Sequence, residues 1–359
     1  AKLIIPVTGP VIIDGAVAIH GDRVVHVGKR RWVLKALKQE MTAHGTIHER
    51  HWDGVLTPGL INAHTHLQYS GMVQVGQGTY DRFRAWELAF NEVYAEAQKT
   101  QPWKQWAEDG ARQMVESGTT AAADIVTDLD AAGALASQGM HGIAYWEVMG
   151  WHNAEWMEKG RTELIRQLRR MNEEQLPNLG ISPHAPYTLE SEPFVDLPDI
   201  ARQLNMRLHI HLAETPLEAG TYPPVLTTYS AADWSDHDWE SYRQLKEVGK
   251  GASAIQFVDQ LGALGPDVHI AHGVWANGED RRILRQRGVG VALCPRSNRI
   301  TNTGKDAPVR EYLEEGNLVS VGTDSLSSTP TLDLLDDVSM LYDLAREQGY
   351  ASDDLTHRL

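Results

Sequence analysis

From Gly54 onward the chain repeats one unit: a short apolar run, a loop, then a stretch with helical spacing. The apolar runs fall at 59–63, 120–125, 142–146, 179–182, 207–211, 268–272, 289–293 and 318–322. Between them, apolar residues recur with a helical period over 82–99, 103–117, 154–172, 193–204, 278–287 and 330–347. Strands buried on both faces read as unbroken apolar runs, and parallel neighbours need a long crossover, usually a helix. Eight such runs alternating with helices predict an α/β fold, a (β/α)8 TIM barrel over residues 54–359. A doubly wound sheet would usually bring a Gly-rich phosphate loop after its first strand, and none follows 59–63.

Residues 1–53 carry two β-rich runs, 11–19 and 23–28, with turn signals at Gly15 and Gly21-Asp22, then a basic helical stretch over 29–38. They predict a small β-rich domain, the N-terminal part of a β-sandwich. His20, His26, His44, His48 and His51 lie there without metal-ligand spacing and read as surface or turn residues. A formal charge of −15 argues against a nucleic-acid or anionic-membrane surface. The single cysteine, Cys294, excludes an internal disulfide and fits a reducing compartment. No run approaches the roughly 18 apolar residues of a membrane span, and no signal peptide opens the chain, although its start at Ala1 suggests trimming. The expectation is a cytoplasmic enzyme with a small-molecule substrate, no nucleic-acid or membrane partner, and room for a homodimer.

Chemistry in such a barrel gathers at the C-terminal ends of the strands. The first apolar run ends in His64-Thr65-His66, whose two imidazoles share one side of a strand. The fourth ends in Ser182-Pro183-His184, the fifth in His211-Leu212-Ala213-Glu214, the sixth in His272 and the eighth in Thr323-Asp324. A lone histidine there would more often be a satisfied core residue; five strand ends bearing ionisable groups form a constellation. His64, His66, His211 and Asp324 offer three imidazoles and a carboxylate, a donor set suited to zinc with a position left open for water. An ion so held lowers the pKa of a bound water to about 7. Glu214 suits a proton shuttle, His272 can orient the water, and Asp324 can accept its proton. His209 and His269 sit earlier in their strands and read as structural. In barrels with two ions a carboxylated lysine on the fourth strand usually bridges them. No lysine occurs between Lys159 and Lys246, so one ion is expected.

The runs Pro58-Gly59-Leu60-Ile61-Asn62-Ala63-His64-Thr65-His66, Ser182-Pro183-His184-Ala185-Pro186-Tyr187, His209-Ile210-His211-Leu212-Ala213-Glu214-Thr215, Ala271-His272-Gly273 and Gly322-Thr323-Asp324-Ser325 resemble the amidohydrolase superfamily. Within it they are most similar to the chlorohydrolase and nucleobase-deaminase subgroup. The resemblance implies one zinc per subunit, with iron as the alternative, on His64, His66, His211 and Asp324. It implies acid–base catalysis by Glu214 and water orientation by His272. It also implies that His184 hydrogen-bonds a ring nitrogen of the substrate, as in deaminases of methylthioadenosine and S-adenosylhomocysteine.

Two features look more like the 6-aminodeoxyfutalosine deaminases of menaquinone biosynthesis: Cys294-Pro295-Arg296-Ser297-Asn298, and a long stretch after Glu214 carrying Trp234 and Trp239. That substrate keeps an adenine ring but carries a benzoate. Arg296, Arg82 and Arg84 are rival carboxylate clamps, because guanidinium matches carboxylate bidentately. Members of this group also complete the small β-sandwich with a later segment, so the N-terminal sheet is expected to lack part of its complement. The alternatives are a deaminase of methylthioadenosine, S-adenosylhomocysteine or guanine, a chlorohydrolase or cyclic amidohydrolase, and a non-catalytic scaffold on the same barrel. The last would typically have lost ligands, and here every ligand position is filled.

Overall fold

In the computed structural model, residues 1–40, 45–173, 178–220, 242–245 and 247–358 are described. His44, Trp234 and Trp239 lie outside them. The chain divides into two compact units, Ala1–Gly59 and Leu60–Leu359. The first holds β1 (Leu3–Ile4), β2 (Ile12–Ile13), β3 (Gly15–His20), β4 (Arg23–Lys29), a helix Arg30–Glu40, and β5 (Val55–Leu56). The β3–β4 hairpin is antiparallel, as its two β-rich runs suggest. A second small sheet has the order β2-β1-β5, with β5 parallel to β1. That pairing moves the boundary from the expected 53/54 to 59/60, because Val55 and Leu56 take Leu3 and Ile4 as partners. His20, His48 and His51 are exposed, and His26 pairs with Glu40 at 2.8 Å.

The second unit is an eight-stranded parallel barrel, with neighbours in chain order from β6 to β13. The strands are β6 (Leu60–Thr65), β7 (Thr119–Val126), β8 (His141–Val148), β9 (Leu179–Pro183), β10 (Arg207–Leu212), β11 (Val268–His272), β12 (Gly290–Leu293) and β13 (Leu318–Val321). All eight fall on the apolar runs, within a residue or two at their ends. The helices Phe83–Thr100, Trp103–Glu116, Ser191–Gln203, Gly278–Arg287 and Leu334–Glu347 occupy the predicted stretches. The stretch predicted over 154–172 is interrupted by a π-helical turn at Trp156–Gly160 before the helix Arg161–Glu173.

Between the last strand and the first, side chains close the barrel. Asn62 donates from Nδ2 to Thr323 Oγ1 at 2.7 Å and accepts the Thr323 N–H at Oδ1, 3.1 Å away. Beyond it, the Asp324 N–H reaches the His64 carbonyl at 2.9 Å. Gly322 permits that approach: a Cβ there would lie 2.8 Å from His64 Cβ and 2.9 Å from its carbonyl oxygen. The seam therefore locks β6 to the chain that follows β13.

Candidate active site

The ends of β6, β9, β10 and β11, with the residues after β13, converge on one cavity of about 230 Å³ at the C-terminal mouth of the barrel. Three of the chain segments turn there through left-handed conformations at non-glycine residues: Ala213 (φ 54°), His272 (φ 74°) and Asp324 (φ 61°). Such residues cost on the order of 1–3 kcal/mol each and persist only where surrounding structure holds them. Here each bends the chain just where a strand run stops, and two of the three bear candidate site side chains.

His66 Nε2 lies 3.2 Å from His211 Nε2, and Asp324 Oδ1 lies 3.6 Å from both His64 Nε2 and His66 Nε2. Ligands about 2.0–2.1 Å from one tetrahedral ion stand roughly 3.4 Å apart, so this spacing fits a single ion. Among the described residues, neither ring nitrogen of buried His64 has a hydrogen-bond partner. Burial, then neighbouring imidazoles, holds His64 and His211 well below the ordinary histidine value. Burial lowers His66 to about 4. Neutral imidazoles are what a metal requires. Burial pulls Asp324 upward, but His66, His272, and the hydroxyls of Ser297 and Ser328 outweigh it and keep the carboxylate below its usual range. Those hydroxyls donate to Oδ2 at 2.6 and 2.8 Å, leaving Oδ1 toward the histidines. The donor set fits zinc.

Glu214 Oε1 stands 3.5 Å from His272 Nε2, and the Tyr187 hydroxyl donates to Glu214 Oε2 at 3.3 Å. Burial, with Asp324 adding to it, pushes Glu214 up to about 8, a value at which a carboxyl can both hold and release a proton near neutrality. His272 is fixed through its other nitrogen, which lies 3.1 Å from Asn298 Oδ1. His184 lines the cavity, with Nδ1 2.8 Å from Thr188 Oγ1. His209 and His269 lie deeper, with Nε2 against the Ala63 carbonyl at 3.1 Å and Ser320 Oγ at 2.8 Å.

Of the three arginines, Arg82 and Arg84 line the cavity, and Arg84 Nη1 also donates to Glu87 at 2.7 Å. Arg296 is a correction. Its guanidinium donates to Asp337 at 2.7 and 3.0 Å, to Asp336 at 2.9 Å, to the Thr331 hydroxyl at 2.7 Å, and to the carbonyls of Thr331 and Asp333. With its donors so engaged on a neighbouring helix and loop, it ties down the chain after β12 and does not line the cavity.

Sequence reasoning passed over Glu147, Glu218 and an aromatic wall of Phe83, Trp86 and Phe90. Glu147, the penultimate residue of β8, lies 3.9 Å from His211 Nδ1 and 4.0 Å from His184 Nε2. Glu147, His184 and His211 thus form a second group of potential ligands beside the first, sharing His211 with it. The rule that found the other strand ends, an ionisable residue where an apolar run stops, would have found Glu147. The wall carried no motif, only aromatics three and four apart on one helix.

The amidohydrolase family pattern matches residues 55–357. The chain belongs to the amidohydrolase family. It is a hydrolase of that family acting on C–N bonds other than peptide bonds. It is 30% identical over 344 residues to a 5-methylthioadenosine/S-adenosylhomocysteine deaminase of Moorella thermoacetica, covering 92% of this chain and 70% of that one. A 5'-deoxyadenosine deaminase of Methanopyrus kandleri is 30% identical over 292 residues, 80% of this chain and 61% of its own. Among solved structures, aminofutalosine deaminase of Helicobacter pylori with methylthio-coformycin superposes with a TM-score of 0.73 at 19% identity, over 97% of this chain and 81% of that one. An atrazine chlorohydrolase of Arthrobacter aurescens complexed with zinc gives 0.73 at 19% identity, over 100% and 78%. These two likenesses establish the fold. Among the described residues no helix is long and apolar enough to cross a membrane.

Proposed function

We propose that the chain is a zinc-dependent aminohydrolase that holds one ion and deaminates an adenine-type nucleoside, with 6-aminodeoxyfutalosine of menaquinone biosynthesis as its substrate. The observation that carries this reading is one buried carboxyl, Glu214, placed beside His272 and lining the same cavity as His66, His211 and Asp324. His64, His66, His211 and Asp324 would hold the ion. When bound, it supplies a Lewis acid that activates water at neutral pH.

His272 orients that water toward the ring carbon bearing the amino group, and His184 hydrogen-bonds a ring nitrogen. As the oxygen adds, Asp324 takes one proton of the water and Glu214 delivers one to the adjacent ring nitrogen. The tetrahedral carbon then returns its hydroxyl proton to Glu214. The amino group takes the proton from Asp324 and leaves as ammonia, so that a carbonyl remains. For the distal half, the wall of Phe83, Trp86 and Phe90 beside Arg82 and Arg84 suits a substituent that is aromatic and anionic. A second reading, a 5'-substituted or 5'-deoxy adenosine, is favoured by the names of the relatives at 30% identity.

Ammonia release from 6-aminodeoxyfutalosine, methylthioadenosine, S-adenosylhomocysteine, 5'-deoxyadenosine, adenosine and guanine tests the proposal. The expected result is the highest kcat/KM on 6-aminodeoxyfutalosine. A higher value on methylthioadenosine moves the assignment to the second reading, and no ammonia from any of them contradicts both.

A further inference from the structure

Glu218 does not line the cavity, yet it is fully buried and its carboxylate is aimed at the turn carrying Glu214. Oε1 accepts the Ala213 N–H at 2.8 Å. Oε2 accepts the N–H groups of Glu214 and Thr215, each at 2.9 Å, and the Thr215 hydroxyl at 3.3 Å. Three consecutive N–H groups starting at a left-handed residue form a concavity that binds an anion. Here the chain supplies its own carboxylate, three to five residues on.

The same turn is pinned from outside. The Ala213 carbonyl accepts the Trp275 N–H at 2.7 Å, and Thr215 Oγ1 lies 2.8 Å from the Tyr242 hydroxyl. The Tyr242 ring sits 5.0 Å from that of Tyr187, whose hydroxyl holds the Glu214 carboxyl. The loop of contacts thus begins on Glu218 and ends on the carboxyl that faces His272.

We propose that Glu218 is a positioning residue for proton transfer, acting through the backbone of residues 213–215 to fix where the Glu214 carboxyl stands. The inference rests on the role given to Glu214 above. A carboxylate is required because it offers acceptors on both oxygens. A glutamine would turn an N–H donor against a backbone N–H, and an aspartate is one methylene too short to reach all three.

The test uses the full chain loaded with zinc and ammonia release from 6-aminodeoxyfutalosine, with methylthioadenosine as a second probe. Glu218→Gln is expected to keep its zinc and a KM within about threefold of the parent. Its kcat should fall about 100-fold, the scale on which a misplacement of about 1 Å acts. Glu218→Asp should fall between the two, and it carries the comparison if the glutamine variant does not accumulate folded. The readout that separates positioning from general support is the double variant. Once Glu214→Gln has removed the proton shuttle, adding Glu218→Gln should lower the residual rate no further. A parental kcat in Glu218→Gln, or the same loss repeated in the Glu214→Gln background, overturns the proposal. Near-parental turnover in Glu214→Gln alone removes the role of Glu214 itself, a separate failure.

Discussion

Two layers of histidine share the interior of this barrel. His64, His66 and His211 stand at its C-terminal mouth; His209 lies beneath them, with ring centroids 4.8 Å from His64, and His269 5.5 Å further on. Burial lowers the proton affinity of imidazoles in both layers. What separates them is where the nitrogens go. In the lower layer one nitrogen of each ring meets a protein acceptor, the Ala63 carbonyl or the Ser320 hydroxyl. In the upper layer His66 Nε2 faces His211 Nε2 at 3.2 Å, and the Nε2 atoms of His64 and His66 face Asp324 Oδ1 at 3.6 Å. Desolvation is therefore common to both layers, and convergence on a shared carboxylate belongs to the upper one.

The arginines differ in place. Arg296 is surrounded by acceptors away from the cavity, while Arg84, itself bonded to Glu87, lines the cavity wall.

Breaking the upper layer should have the largest effect. His211→Ala should lose stoichiometric zinc and reduce turnover by more than the roughly 100-fold cost typical of the groups that merely orient ligands. Metal analysis beside an ammonia assay checks it. Next, Glu214→Gln should retain zinc and lose turnover by about 10²–10⁴-fold, which single-turnover kinetics on metal-replete protein would read. The two arginines should then part ways. Arg296→Ala strands the buried carboxylate of Asp337 and should destabilise the fold by about 3 kcal/mol with little change in KM. Arg84→Ala should raise KM about tenfold for a carboxylate-bearing substrate. The smallest effect belongs to the lower layer. His269→Leu removes one hydrogen bond and should cost about 1 kcal/mol of stability, with zinc content unchanged. Zinc loss in that variant would erase the distinction between the layers.

The barrel was legible because strands buried on both faces must be apolar throughout, so β6 to β13 stood out as runs. The clustering of the candidate site was legible for a related reason: a charge that ends an apolar run sits at a strand end, and strand ends in a barrel meet. β1 and β5 were not, since two-residue strands such as Leu3–Ile4 and Val55–Leu56 carry no period. Glu218 was hidden because its work is done on backbone N–H groups, which no side-chain pattern records. Arg296 misled because a guanidinium looks the same in sequence whether it awaits a carboxylate ligand or already holds Asp336 and Asp337.

Titrating zinc into metal-free protein while following ammonia release from 6-aminodeoxyfutalosine joins the ion, the donor cluster and the reaction in one curve. The account predicts activity that rises linearly from zero and levels at one equivalent per chain. A plateau at two equivalents, or activity that does not respond to zinc or iron, would contradict it.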